Sequence, residues 1–131
     1  MITKLEGVHP VLVEKVKRIL HASAELGHPM LVTDGVRTEA QQQALYAKGR
    51  TAPGKKVTNA DGVRAKSNHQ VKADGFGHAV DLAFLADGKP SWAEHHPWML
   101  LGAMAVALGL VWGGHWRTPD RPHIELPETQ T

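Results

Sequence analysis

The chain has 131 residues, 42% of them hydrophobic and 21% charged, with a formal net charge of +2 and no cysteine. These proportions fit one globular domain over residues 1–131, and a chain of that length buries roughly two-thirds of its unfolded surface without a structural staple. Lack of cysteine excludes disulfides, thiolate zinc fingers and cysteine nucleophiles, leaving His, Asp and Glu as the strong metal ligands. The 15 basic residues are interspersed with 13 acidic ones, so nucleic acid is not an expected partner; the chain is expected to be a monomer. Residues 1–6 are charged from the outset and lack the apolar run of a signal peptide, and the apolar stretch 97–112 is interrupted by glycines and too short to cross a bilayer. The expectation is synthesis in the cytoplasm, with no stable membrane insertion.

In chain order, Leu12, Val13, Val16, Ile19, Leu20 and Ala24 recur at helical spacing and predict an amphipathic helix over 11–26, stopped by Gly27. Residues 30–33 form a short β-type run ending at Asp34-Gly35. Thr38 then caps a second helix to about Ala47, with Glu39 in its first turn and Gly49 past its end. Residues 48–66, rich in Gly, Lys, Thr and Asn, read as an extended loop. A buried strand follows over 79–85, turned by Asp87-Gly88. A third helix starts near Trp92 or Pro97 and runs to Leu108, and short strands follow at 110–112 and 123–126. Helices mixed with a few short strands predict a small α+β domain with a short antiparallel sheet flanked by helices.

Nine histidines are an excess for this length, and three residues stand out by position. His69 follows Ser67-Asn68 at the loop end, Asp81 lies inside an apolar strand, and His123 opens the last strand. A lone His is more often a surface or hydrogen-bonded residue than a ligand. Asp81, however, is costly to bury without a cation or several hydrogen bonds. Two imidazoles and a carboxylate suit one zinc ion with a position left open.

The segments Ser67-Asn68-His69, Gly77-His78-Ala79-Val80-Asp81 and Asp120-Arg121-Pro122-His123 resemble the pattern of the zinc D,D-carboxypeptidase, D-Ala-D-Ala dipeptidase and L-alanyl-D-glutamate peptidase family. The stretch from Asp34 through Arg37 and Thr38 to the Gln-rich helix is similar to that family's upstream segment, and Gly109 to Gly114 resembles its endolysin branch. The resemblance implies the fold shared by D,D-peptidases and Hedgehog-type domains, with His69, Asp81 and His123 as zinc ligands. It implies Asp120 as the general base, Arg37 as a binder of a substrate carboxylate or developing oxyanion, and Ser67 as a substrate contact. The implied activity is hydrolysis of peptidoglycan stem peptides at the L-alanyl-D-glutamate bond by a phage or prophage endolysin. Such an enzyme acts on the wall after release and here carries no separate wall-binding domain. The alternatives are a D,D-carboxypeptidase or D-Ala-D-Ala dipeptidase and, from another class, a non-catalytic zinc-containing binding module, which would not need Asp120.

Several positions admit a second reading. The family has two residues between its first His and the following Gly, whereas residues 70–76 separate His69 from Gly77, so Asp74 competes with Asp81 as the carboxylate ligand. Arg37 has a salt bridge with Glu39 as its alternative, and Ser67 a turn cap. His78 and His115 read as outer-sphere or surface groups, and His95-His96 as a solvated pair. Trp92 and Trp98 read as core, while one of Trp112 and Trp116 is expected to contact substrate.

Overall fold

The computed structural model describes residues 2–128. Helix α1 (Pro10–Glu25) starts with Pro at its first position, where the missing N–H costs nothing, and His9 Nδ1 accepts from Val11 N. Its buried positions Leu12, Val16, Ile19 and Ser23 lie three or four residues apart, a single stripe laid against the sheet. Strand β1 (Met30–Asp34) follows. Helix α2 (Glu39–Ala47) is fixed by a reciprocal cap: the Thr38 hydroxyl accepts from Gln41 N, and the Gln41 side chain accepts from Thr38 N.

Strand β2 (Ala79–Ala86) is the spine of an antiparallel sheet. One edge pairs with β1, and the other is divided between β5 (His123–Glu125) along Ala79–Asp81 and β3 (Lys89–Ser91) along Phe84–Ala86. Strand β4 (Val111–Trp112) pairs with β5 at the margin. The strand at 89–91 adds to the sequence expectation. It forms because Asp87 and Gly88 both adopt positive φ, 53° and 75°, which makes Asp-Gly a tight hairpin turn instead of a strand terminator alone.

Alternation along β2 sends Val80, Leu82 and Phe84 into the core, where they meet Leu12, Val16 and Ile19 of α1 and Leu101 and Ala105 of helix α3 (Trp98–Ala107). Asp81 consequently points out of that core, as do His123 and Glu125 on either side of the buried Ile124. Trp98 is core, as expected, whereas Trp92 is 54% exposed. Trp92 follows β3 on a segment outside the α3 stripe, so nothing packs it inward. Trp112 is buried and its Nε1 donates to Arg121 O, holding β4 to the chain before β5. No helix among the described residues is long and apolar enough to cross a membrane.

Candidate active site

Opposed positions on β2 and β5 bring Asp81 beside His123, which are register partners. His69 reaches the same point from the turn after the long loop. That turn is held by the Ser67 hydroxyl, which accepts from His69 N at 3.2 Å, and by Arg37 N, which donates to His69 O at 2.9 Å. The Ser67 side chain therefore acts as a turn cap while also lining the cleft.

One donor atom from each of His69, Asp81 and His123 lies within 4.8 Å of the others. His69 Nε2 and His123 Nδ1 both stand 3.3 Å from Asp81 Oδ1. His69 Nε2 and Asp81 Oδ1 are nevertheless buried with no hydrogen-bond partner. Two orphaned polar atoms aimed at one point are an arrangement that a cation satisfies and that apolar burial penalises. The far nitrogens are occupied: His69 Nδ1 lies 2.8 Å from Gly35 O, and His123 Nε2 lies 2.6 Å from Glu125 Oε1. Those contacts orient the rings and leave Nε2 of His69 and Nδ1 of His123 for the metal, the usual outer-sphere support of a histidine ligand. The donor set of two imidazoles and one carboxylate fits one zinc ion.

Burial works to raise the Asp81 carboxyl, but the two imidazoles facing it and their positive charge outweigh burial and hold it well below the usual carboxylate range. Burial likewise opposes charge on His123, and the carboxylates of Asp81 and Glu125 on its two sides raise it to about 9. A metal ion bound at His123 would therefore displace a proton.

Asp120 Oδ2 lies 3.9 Å from His123 Nδ1. Burial and then the charge of Asp81 push its carboxyl upward, which makes it a better proton acceptor. Gly113 sets that position: a Cβ there would collide with Asp120 O and press on His123 Cβ. Arg37 donates from Nε to Asp34 Oδ2 at 2.8 Å, from Nη1 to Gln42 Oε1 at 3.0 Å, and stands 3.4 Å from Asp81 Oδ2. Its ion-pair partners are thus Asp34 and Asp81, in place of the Glu39 pairing weighed from sequence. Asp34 enters the site because β1 shifts register between Val32 and Asp34, bringing Asp34 opposite Asp81.

These groups line a cleft of about 450 Å³, whose far wall is the long loop at Val57–Ala60 and whose rim carries the half-exposed Trp116. The loop is tied down where Gln42 Nε2 donates to Ala60 O at 2.9 Å. Of the two tryptophans weighed as substrate contacts, Trp116 borders the cleft and Trp112 belongs to the core.

Asp74 is not part of this group. Its Oδ2 lies 2.7 Å from His78 Nε2 and 3.9 Å from His9 Nε2, at a separate cluster beside the 70–76 loop. His78 is buried, not a surface group, and His115 is exposed with its ring against Trp112. His96 is not simply solvated: it stacks on Phe84 and pairs with Ser91 Oγ at 2.7 Å. Sequence reasoning passed over Glu125, Asn68 and Asp34. Glu125 had a local signal, because a residue two positions from a strand ligand shares its face. Asn68, which donates to Glu125 Oε2 at 2.8 Å, and Asp34 had none, since only folding brings them there.

A family model described as D-alanyl-D-alanine carboxypeptidase matches residues 61–126, the segment holding His69, Asp81, Asp120 and His123. The peptidoglycan L-alanyl-D-glutamate endopeptidase CwlK of Bacillus subtilis (strain 168) is 31% identical over 129 residues, covering 91% of this chain and 73% of that protein. The structure of the Serratia marcescens L-Ala D-Glu endopeptidase ChiX matches with a TM-score of 0.65 at 28% identity, over 98% of this chain and 86% of the other. A variant of the vancomycin resistance D,D-pentapeptidase VanY, solved in complex with Zn(II), shares the fold with a TM-score of 0.62 at 18% identity, over 91% of this chain and 72% of the other. With half of its length matched by the family model, including all four residues of the metal cluster and its neighbouring acid, the chain belongs to the D-alanyl-D-alanine carboxypeptidase family of peptidases.

Proposed function

We propose that the protein is a zinc peptidase that hydrolyses peptidoglycan stem peptides at the L-alanyl-D-glutamate bond. The observation that carries this reading is the convergence of His69 Nε2, Asp81 Oδ1 and His123 Nδ1 with a second carboxylate, that of Asp120, beside them. The choice of bond is supported by the resemblance to CwlK and ChiX.

His69, Asp81 and His123 would hold a zinc ion, which would supply Lewis-acid activation of water and of the scissile carbonyl. Asp120, with its carboxyl raised, takes the proton from the attacking water and can return it to the leaving amine. Arg37, locked in place by Asp34 and Gln42, presents a fixed positive charge at the cleft to a substrate carboxylate or to developing negative charge. Ser67 and Asn68 hold the turn that carries His69 and border the same cleft. Action on the cell wall after release, in the manner of an endolysin, is part of this proposal and rests on the resemblance of the Gly109–Gly114 segment to that branch.

Digestion of purified murein, with mass spectrometry of the new termini, tests the reading. New N-terminal D-glutamate is expected, in a reaction that stops with chelation and resumes with zinc. Free D-alanine as the sole product would overturn it in favour of a D,D-carboxypeptidase.

A further inference from the structure

Asp120 borders two clefts, not one. The second is a shallow cleft of about 360 Å³ lined by Trp92, Glu94, Trp98, Pro119, Asp120, Arg121 and Pro122. We propose that this cleft binds the glycan end of the substrate, an N-acetylmuramyl sugar still carrying its stem peptide, with Trp92 as the stacking platform. The inference deepens the proposed function and rests on it.

Three observations support a sugar as the occupant. Trp92 leaves 54% of its surface exposed in a cleft whose other walls include two prolines and three charged side chains. A flat apolar ring bordered by hydrogen-bonding groups suits the C–H face and hydroxyl edge of a pyranose. The segment that carries Trp92 is anchored on both sides. Ser91 pairs with Phe84 in the sheet, Ala93 N donates to Ser91 Oγ at 3.4 Å, and Trp98 Nε1 donates to Ala93 O at 3.0 Å. These bonds fix the backbone on either side of Trp92, so its ring is presented from an ordered segment. Finally, the cleft adjoins the reacting centre through Asp120, and the chemistry of peptidoglycan demands that adjacency. The L-alanine of a stem peptide is joined directly to the lactyl group of the muramyl sugar. Its bond to D-glutamate lies one residue from that sugar, a reach of about 3.5 Å of chain beyond the lactyl group. Cleavage at the terminal D-alanine would put the sugar several residues further off.

The test compares a disaccharide-linked tetrapeptide with the same peptide lacking the sugar. Trp92→Ala is expected to reduce the ratio of kcat/KM for the glycosylated over the bare substrate by about tenfold, the contribution of one stacked ring, while Trp92→Phe restores most of it. An unchanged ratio would overturn the proposal, whether both rates fall together or neither moves. Binding decides independently of turnover. Titration of N-acetylmuramyl-L-alanine into the zinc-loaded protein is expected to shift the Trp92 indole N–H resonance, identified by its loss in Trp92→Phe, with no shift from L-alanine alone. Absence of that shift at saturating sugar overturns the subsite even if the protein cuts a different bond. A shift in a protein that releases only D-alanine overturns the proposed function and leaves the sugar site standing.

Discussion

His69, Asp81 and His123 form one cluster and His9, Asp74 and His78 another, each of two histidines and one aspartate, and they differ in what their donor atoms do. In the second, Asp74 Oδ2 contacts His78 Nε2 directly at 2.7 Å, Asp74 Oδ1 accepts from Phe76 N, and His9 Nδ1 accepts from Val11 N at the start of α1. The acid there is satisfied and pins the 70–76 loop to the first helix, and the buried atom left without a partner is a single one, His78 Nδ1, rather than two that face each other. In the first cluster the far nitrogens are tied to Gly35 O and Glu125, while the near atoms face one another without hydrogen bonds. Composition is therefore a poor guide to a metal site. The direction of the unpaired atoms decides it, and that direction is set by rigid neighbours on strands β2 and β5.

Breaking the first cluster gives the largest effect. His69→Ala or Asp81→Asn is expected to abolish stoichiometric zinc and bring murein digestion to background, read by metal analysis and a turbidity assay. Retained zinc in both variants would remove the distinction between the clusters. Next comes Asp120→Ala, which should keep its zinc but lose activity by on the order of 10²–10⁴, since it removes the proton acceptor and no ligand. Full activity in that variant would deny Asp120 its role. Glu125→Ala sharpens the comparison at one remove. It frees His123 Nε2 and is expected to weaken zinc by roughly 10–100-fold in competition with a chelator, while the fold persists.

The matching change in the other cluster, Asp74→Asn, should leave zinc content and the rate of digestion near those of the unaltered protein and lower Tm by a few degrees. Loss of zinc there would show that the 70–76 loop belongs to the site after all. The smallest effect is on the pH dependence of the metal-free protein. His123 rises from an ordinary 6.5 to about 9 on folding, so the stability it contributes is fully present below pH 6.5 and disappears as pH climbs through 9. Zinc affinity should move the opposite way, increasing over the same interval as the displaced proton becomes easier to remove. Calorimetry with and without chelator measures both, and parallel trends would contradict the assignment.

Much of this was legible in the sequence. Helical spacing in α1, the Thr38 cap and the apolar run of β2 fall where local rules place them, because each depends on residues within a few positions of one another. The candidate metal cluster was legible in part, since Asp81 inside an apolar strand demands a partner, while Asp74 remained its competitor. Trp92 was misjudged because hydrophobicity alone reads a tryptophan as buried, whereas its place after β3 leaves it outside the core. The short β3 strand was missed because three residues carry too little periodicity to register.

What the sequence determined by itself was the inventory: which side chains can bind a metal or move a proton, and which helices and strands carry them. Only the tertiary structure decided which atoms meet. Asp74 and Asp81 are both acids near a histidine, and the choice between them was made by a register that sets Asp81 opposite His123 and by a loop that folds Asp74 onto His78. The same holds for Glu125, Asn68 and Asp34, whose roles arise from contacts across the sheet or between loop and strand. Local propensity acts over a few residues, whereas a site is a coincidence of side chains far apart in the chain. Strand pairing and core packing bring that coincidence about.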